Sequence, residues 1–388
     1  MRVLTFLHSF EPGGVERVAL RLVRCWRRQG VDAPLFMGRA QGAMRIELGE
    51  GLEYQTPHPP RFPLAPFETL WMMATLPGFI RRTRPDVLFC AGNSYAIVAV
   101  AMKLLLGRSC PPVLAKISND LERRDMIRPM RLAYRIWLRV QGRFIDHFVA
   151  MAPGLDHEVA LLIRPRGRAI SIIPDPALSW EQIDSLRATR TAPAGPGRRF
   201  VAIGRLARQK NFRLMLAAFA RSSSPDDRLL IFGEGPERSA LTGYADRLGI
   251  VGQVSFAGHV SDPALLIGGF DALLLSSDYE GVPAALLEAL AAGLPIIATD
   301  CSAAMRGLLR DGELGRLVHV GDRSGFAAAM SQAPIRQDEA ASLAQARRFT
   351  LEVAAPAYLQ QFQRLAACRS PSGEIAASPV TFTATSSS

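Results

Sequence analysis

Short apolar runs of strand length alternate with longer amphipathic runs along almost the whole chain, and no other feature narrows its folding choices as far. The first half carries "RVLTFLH", "DVLFCAG", "PVLAKIS", "HFVAMA" and "AISIIP"; the second carries "RFVAIGRL", "RLLIFGEG", "QVSFAGHV", "DALLLSS", "PIIATD" and "GRLVHV". Runs that stay apolar without strict alternation suit strands buried on both faces, and the helical segments between them supply the cover. Repeated βα units of this kind build parallel sheets, which sets aside all-β sandwiches and helical bundles. A chain of 388 residues, 48% of them hydrophobic, has material for two cores. The expectation is an α/β protein with two parallel-sheet domains facing a cleft, where ligands sit beyond the C-terminal ends of strands.

The stretch "RATRTAPAGPGRR" at 187–199 is rich in Pro, Gly and Arg, lacks apolar periodicity and reads as the region of the domain boundary. The expected division is 1–177 and 178–350, with 369–388 a small, polar, disordered tail. "MRVLTFLHSF" reads as a first buried strand rather than a leader. The most apolar span, "AIVAVAMKLLLG" at 96–107, is interrupted by Lys103 and is shorter than a bilayer-crossing helix. Five scattered cysteines without a C-x-x-C spacing point away from a disulfide framework or a zinc site and fit a reducing cytoplasm.

Charge is unevenly placed. Of a net +11, residues 1–177 hold 25 Lys/Arg against 15 Asp/Glu, whereas 178–388 hold 21 against 20. A basic N-terminal half suggests an anionic partner: nucleic acid, acidic lipid headgroups or a phosphate-bearing acceptor. Within "IRPMRLAYRIWLRVQGRFI", 127–145, arginines at 128, 131, 135, 139 and 143 form one stripe along a helix, with Leu132, Ile136, Trp137 and Val140 assigned to other faces. An interfacial helix resting on anionic lipid and a core-packed helix with a solvated Arg face both fit this pattern.

Chemistry concentrates in "DYEGVPAALLEALAAGLPIIATD", 278–300. Pro283 and Gly293 bracket a helix made almost only of Ala and Leu, except for Glu288. A carboxylate there needs hydrogen-bond donors if it is buried, and a ribose 2′,3′-diol would supply two; a Glu facing solvent or pairing with Arg is the plainer alternative. Glu280, Gly281 and Val282 fall in the preceding loop, beside the unpaired N–H groups of the helix start, a ready anion site. "VAIGRLARQKN", 201–211, puts Arg205 and Lys210 just past a strand, where they suit a pyrophosphate or form a structural ion pair. "FGEGP", 232–236, lacks the third glycine of a dinucleotide fingerprint, and Gly13-Gly14 in "HSFEPGGVERV" permits close backbone approach. His259 in "FAGHV" lines the cleft or caps a strand. There is no D-x-D pair, H-E-x-x-H, G-x-S-x-G or Walker A loop, so metal-dependent hydrolysis, serine hydrolysis and P-loop phosphoryl transfer lose weight.

Taken together, G-R-L-x3-K-N (204–211), F-G-x-G-P (232–236), G-H-V (258–260), E-G-V-P-x4-E-A-L-A-A-G-L-P (280–295) and the N-terminal Gly-Gly resemble the family 4 retaining glycosyltransferases in order and spacing. The resemblance implies a GT-B architecture: two Rossmann-like domains, with a C-terminal helix at about 351–366 crossing back onto the first. It implies a nucleotide-diphosphate sugar held mainly by the second domain, and same-face substitution with retention, without cofactor or metal. By motif match, Glu288 would hold the ribose hydroxyls and Glu280 the sugar hydroxyls, while Arg205 and Lys210 would offset charge on the leaving diphosphate. Backbone N–H groups at Gly281, Val282, Gly13 and Gly14 would complete the anion cradle, with Gly204, Gly233, His259 and Val260 among the substrate-binding residues.

Two departures stand out. Where many members place a His after a late N-domain strand, this chain reads "AKISNDLERRD", with Lys116 and Asp120 as candidate substitutes. "IPDP" puts Asp175 where Asn is common, a change expected at a hinge contact. The expected reaction moves a hexose or N-acetylhexosamine from a UDP- or GDP-sugar to a lipid-linked or polysaccharide acceptor, of the lipopolysaccharide or exopolysaccharide type, at the cytoplasmic membrane face. The basic N-terminal domain would then contact anionic lipid. A small soluble acceptor on the same fold is the alternative. A catalytically silent nucleic-acid binder is disfavoured, because the Arg stripe lacks interleaved aromatics for base stacking.

Overall fold

A computed structural model describes residues 1–11, 13–42, 44–58, 67–123, 126–191, 195–260, 262–333 and 337–368; the tail expected to be disordered, 369–388, lies outside them. Two parallel six-stranded sheets carry the chain. The first contains β1 (Val3–Leu7), β2 (Leu35–Met37), β3 (Val87–Cys90), β4 (Val113–Ile117), β5 (His147–Ala150) and β6 (Ile170–Ile172), in the order 2-1-3-4-5-6. The second contains β7 (Arg199–Ile203), β8 (Arg228–Phe232), β9 (Val254–Gly258), β10 (Ala272–Leu275), β11 (Ile296–Thr299) and β12 (Arg316–Val318), in the order 12-11-10-7-8-9. Every apolar run read as a strand is one. The exception runs the other way: β2, only three residues long, was not legible as a run, yet all three of its residues pair with β1.

Strand order reverses between β1 and β3 in the first sheet and between β7 and β10 in the second. Those are the crevices where loops leave in opposite directions and open sheets bind ligands. The loops after β7 and β10 carry the Lys210 and Glu280 motifs, so the topology alone brings them side by side.

Helix α1 (Gly14–Arg28) packs on the first sheet through Val18, Leu22 and Trp26. Helices α2 (Ala96–Leu106) and α3 (Arg128–Phe144) lie side by side in that domain. In the second domain, α4 (Phe212–Ser222) follows β7 and α5 (Ala284–Ala292) follows β10. The last helix, α6 (Leu351–Ala367), returns to the first domain. Its Tyr358 and Phe362 meet Trp26 with ring centroids 6.0 and 5.1 Å apart, and Trp26 Nε1 donates to the Ala355 carbonyl.

The chain passes between domains twice, at adjoining places. Leu178 and Thr350 form a parallel bridge, with Leu178 N donating to Phe349 O (3.2 Å) and Leu351 N donating to Leu178 O (2.9 Å). The crossing at Leu178 lies upstream of 187–199, the stretch that reads as the boundary region, and beside the division expected at 177/178. Ile183 and Leu186 on the Trp180–Ala188 helix already belong to the second domain's core, and Thr191 N donates to Gly268 O of that domain. The Pro/Gly-rich stretch is a surface connection within the second domain, because Pro and Gly report irregular backbone rather than a change of core.

Lys116 is corrected as a substrate contact. Its side chain is 2% exposed and its ammonium pairs with Asp175, joining β4 to the segment that leaves the first domain. A buried ammonium is tolerable only with such a partner, and the pairing commits the charge to the interior. Asp175 is the hinge-side contact that its position after β6 suggested.

Candidate active site

The β7 and β10 loops are sewn together by side chains. Asn211, at φ 43°, caps α4 by accepting from Leu214 N (3.2 Å) and donates from Nδ2 to Asp278 Oδ1 (2.7 Å). Asn tolerates this left-handed conformation better than most residues. Gln209 Nε2 donates to Tyr279 O (2.9 Å), Asp278 N donates to Gln209 O (2.8 Å), and Ser276 Oγ donates to Lys210 O (2.9 Å). Within this frame the Lys210 ammonium bonds Glu280 Oε1, and the same oxygen accepts from Ser277 Oγ at 2.7 Å. Glu280 is buried and Lys210 half-buried. The expected pair of cations is therefore split: Lys210 neutralises Glu280, while Arg205 stands exposed where the loop leaves β7.

Helix α5 begins after Pro283 and ends at Gly293, whose φ of 66° is the left-handed cap that glycine favours. Leu286, Leu287, Ala289 and Leu290 are buried around Glu288. Glu288 is half-buried and accepts no hydrogen bond among the described residues. Burial pushes its carboxyl above the usual glutamate range, the guanidiniums of Arg17 and Arg21 on α1 pull it back, and Asp262 pushes it up again. Those neighbours come from both domains, Arg17 and Arg21 from the first and Asp262 from the second. Arg21 also donates to Ala177 O (3.2 Å) and Gln182 Oε1 (3.1 Å), which ties α1 to the interdomain segment.

Gly281 marks the contact between domains. A Cβ there would lie 2.8 Å from both Met151 Cε and Ser118 O, and its own carbonyl accepts from Ser302 Oγ at 3.1 Å. Val282 and Val260 are half-buried against the second core, and His259 is exposed past the end of β9. At φ 141°, a Cβ on Gly233 would meet Gly204 O at 2.0 Å, so glycine at 233 is accounted for by backbone packing, whereas a Cβ on Gly204 would meet the Lys210 side chain at 3.3 Å. The space beside Gly13 is taken by Glu16, whose carboxylate would collide with any Cβ there, whereas Gly14 has nothing within 4 Å. Glu16 Oε1 accepts from Tyr95 at 2.6 Å, and Tyr95 stacks on His8, which burial keeps below its ordinary pKa.

Between the domains, adjoining the Glu280 loop, lies a cavity of about 290 Å³ lined by Asp120, Glu122, Asp278, Asp300, Cys301 and Ser302. Asp120 is therefore at the cleft, with its Oδ1 accepting from Glu122 N at 2.8 Å, whereas Lys116 is not. Burial, reinforced by Glu280, pushes the Cys301 thiol up to about 12, so it stays protonated. Ser277 and Gln209 were not singled out from the sequence, and Asn211 entered only as the last residue of the G-R-L-x3-K-N motif. A polar "SSD" at the end of an apolar strand, and Asn directly ahead of a helix, were the available signals.

A model of group 1 glycosyl transferases matches residues 197–333, and a model of glycosyltransferase family 4 matches residues 12–176. The lipopolysaccharide core biosynthesis glycosyltransferase LpsE of Rhizobium meliloti is 27% identical over 329 residues, 85% of this chain and 88% of that one. The lipopolysaccharide 1,6-galactosyltransferase of Escherichia coli is 23% identical over 81% and 83% of the two chains. Among solved structures, the lipopolysaccharide outer core galactosyltransferase WaaB superposes with a TM-score of 0.71 at 19% identity, covering 94% of this chain and 99% of that one. HepE of Anabaena, in complex with UDP and glucose, superposes with a TM-score of 0.73 at 18% identity, covering 94% and 100%.

Proposed function

Since the chain belongs to the family 4, group 1 type glycosyltransferases and has the GT-B fold, we propose that it transfers a hexose or N-acetylhexosamine from a UDP- or GDP-sugar, with retention of anomeric configuration. The acceptor in this reading is lipid-linked or polysaccharide, of the lipopolysaccharide or exopolysaccharide kind, met at the cytoplasmic face of a membrane. LpsE supports that acceptor class by its name, and HepE, solved with UDP and glucose, supports a nucleotide-sugar donor.

One observation carries the proposal: the Lys210–Glu280 pair sits at the crevice where strand order reverses, and the carboxylate of Glu288, which accepts no hydrogen bond among the described residues, feels the charges of Arg17 and Arg21 on α1 of the other domain. Glu288 would accept from both ribose hydroxyls, recovering the hydrogen bonds its burial forgoes. Glu280, already oriented by Lys210 and Ser277, would accept from hydroxyls of the donor sugar. As the diphosphate leaves, negative charge grows on its oxygens. Arg205 and Lys210 would meet it, together with N–H groups at Gly281, Val282 and Gly14. The bond from the anomeric carbon to the phosphate oxygen breaks and the bond to the acceptor oxygen forms on the same face. The acceptor's proton passes to the departing phosphate. In this scheme the protein's contribution is positioning and electrostatic stabilisation, and no step needs a metal ion.

The test is a calorimetric panel of UDP, GDP and their sugar conjugates against wild type and Glu288→Ala, with and without EDTA, followed by the anomeric configuration of any product. Binding of one nucleotide that survives EDTA and is lost in Glu288→Ala supports the reading. A folded wild type that binds nothing in the panel refutes it.

A further inference from the structure

Helix α1 turns one row of residues toward the second domain. Gly14, Arg17 and Arg21 recur at spacings of three and four, so they share one side of the helix. Arg21 fixes where that side looks: its guanidinium donates to Ala177 O (3.2 Å) in the segment that leaves the first domain and to Gln182 Oε1 (3.1 Å) on the Trp180–Ala188 helix. That helix belongs to the second core and packs against α5, which carries Glu288. Arg17 comes one turn nearer the strand ends, about 6 Å along the axis. Of the charges that act on the Glu288 carboxyl, that of the half-buried Arg17 guanidinium is the strongest, ahead of Arg21.

The start of the same row is open to an anion. Among the described residues no side chain caps α1, where the N-cap is Gly13. Glu16, third in the helix, occupies the place from which a carboxylate commonly folds back onto the helix start, but its Oε1 accepts from the Tyr95 hydroxyl at 2.6 Å instead. Gly14 is exposed, with nothing within 4 Å of a Cβ built there. From the strand ends outward the row therefore offers backbone N–H groups without a side-chain cap, then Arg17, then a guanidinium already committed to the hinge segment. A helix start by itself holds an anion loosely. A planar guanidinium one turn behind it adds a directed pair of donors that suits a phosphate.

We infer that Arg17 is a donor-binding residue supplied by the first domain, its guanidinium meeting the diphosphate of the sugar nucleotide while Glu288 of the second domain holds the ribose. The inference rests on the donor reading above and deepens it, because one nucleotide then bridges the two domains through named side chains. Two ribose hydroxyls on Glu288 give that carboxylate its own donors, and the diphosphate beside Gly14 becomes the anion for Arg17 to meet. A residue that only balanced Glu288 would compete with the ribose, whereas one that meets the diphosphate cooperates with it. The two roles have opposite signs in nucleotide affinity.

The test is calorimetry of the full chain with UDP and with GDP, on wild type, Arg17→Met, Arg17→Lys, Glu288→Gln and the Arg17→Met, Glu288→Gln double variant. For the nucleotide that wild type binds, Arg17→Met should weaken affinity by about 10- to 100-fold, the usual effect of losing hydrogen bonds to a charged group. Arg17→Lys should recover part of that loss, since an ammonium keeps the charge without the fork. In the Glu288→Gln background Arg17→Met should still weaken binding by about tenfold or more, because a phosphate contact does not need the carboxylate. Urea midpoints check that each variant folds, and Arg17→Lys keeps the comparison sound if Arg17→Met is unstable. Unchanged or tighter binding by Arg17→Met overturns the inference and leaves Arg17 a counter-ion of Glu288, as does a loss that vanishes in the Glu288→Gln background. Those results leave the donor reading standing, whereas a folded wild type that binds neither nucleotide sinks the donor reading itself.

Discussion

Replacing Glu288 probes the donor site most directly, because structure and chemistry there pull in opposite directions. The carboxylate is half-buried and accepts no hydrogen bond among the described residues, and burial holds its pKa up. The folded chain therefore binds this proton more readily than the unfolded chain. Stability falls as pH rises from the ordinary glutamate range through the raised folded value, so Glu288→Gln should leave the urea midpoint at neutral pH unchanged or higher. Ligand binding should move the other way. Two hydrogen bonds from hydroxyls to a charged acceptor contribute roughly 1.5–3 kcal/mol each. After desolvation, Glu288→Ala should cost about 3–4 kcal/mol, on the order of 10² to 10³ in Kd for the bound nucleotide. The decisive assay is calorimetry with a ribonucleotide and its 2′-deoxy analogue. Wild type should prefer the ribonucleotide by roughly tenfold or more, and Glu288→Ala should bind both alike. If the variant weakens both equally and keeps the preference, the carboxylate does not hold the diol.

Other consequences are as specific. Lys210→Ala should lower kcat/KM by about 10² to 10³, the usual effect of removing one electrostatic donor, and should also destabilise the fold by stranding buried Glu280; adding Glu280→Gln should restore stability but not activity. Lys116→Met should cost about 3–5 kcal/mol in urea unfolding by leaving Asp175 unpaired, with nucleotide Kd unchanged in the variant that remains folded. Donor affinity should weaken as pH falls through the raised Glu288 pKa, at a higher pH than an ordinary glutamate would give, and Glu288→Gln should flatten that profile. Gly281→Ala should depress activity more than stability, because its Cβ would press on Met151 and Ser118 across the domain contact; an unchanged turnover would show that this seam is not needed in the active arrangement.

The architecture was legible because buried parallel strands must be apolar on both sides, which leaves runs visible without any alignment. Strand β2 escaped because three residues cannot display a pattern; β1 supplies its pairing. The spacing of Glu280 and Glu288 was readable, since a proline and a glycine bracket α5. That Glu280 would already be held by Lys210 was open, because sequence cannot choose between a ligand and an ion pair. Lys116 carried a hint, a cation inside the apolar run "PVLAKIS", but its partner Asp175 lies far along the chain and only the fold joins them. Leu132 and Ile136 lie with Arg135 and Arg139 on the exposed side of α3; they were assigned away from the arginines because helical spacing gives angles around an axis, not the direction in which the sheet lies. The Pro/Gly-rich stretch 187–199 read as the boundary region, apart from the division expected at 177/178, for a similar reason: it describes backbone, and domain membership is decided by which core claims Ile183 and Leu186.

The bridge between Leu178 and Thr350 has a kinematic consequence. Two separate connections would let one domain slide or twist against the other, with each strand as its own pivot. Here both connections are fastened to each other by backbone bonds at one spot, so neither can pivot independently of the other. Helix α6, anchored on Trp26 and Phe89, must travel with the first domain while the Trp180–Ala188 helix travels with the second. Any change in the angle at that joint would shift Arg17 and Gly14 of the first domain relative to Glu288 and Gly281 of the second, so the spacing of groups from the two domains is coupled to the bridge.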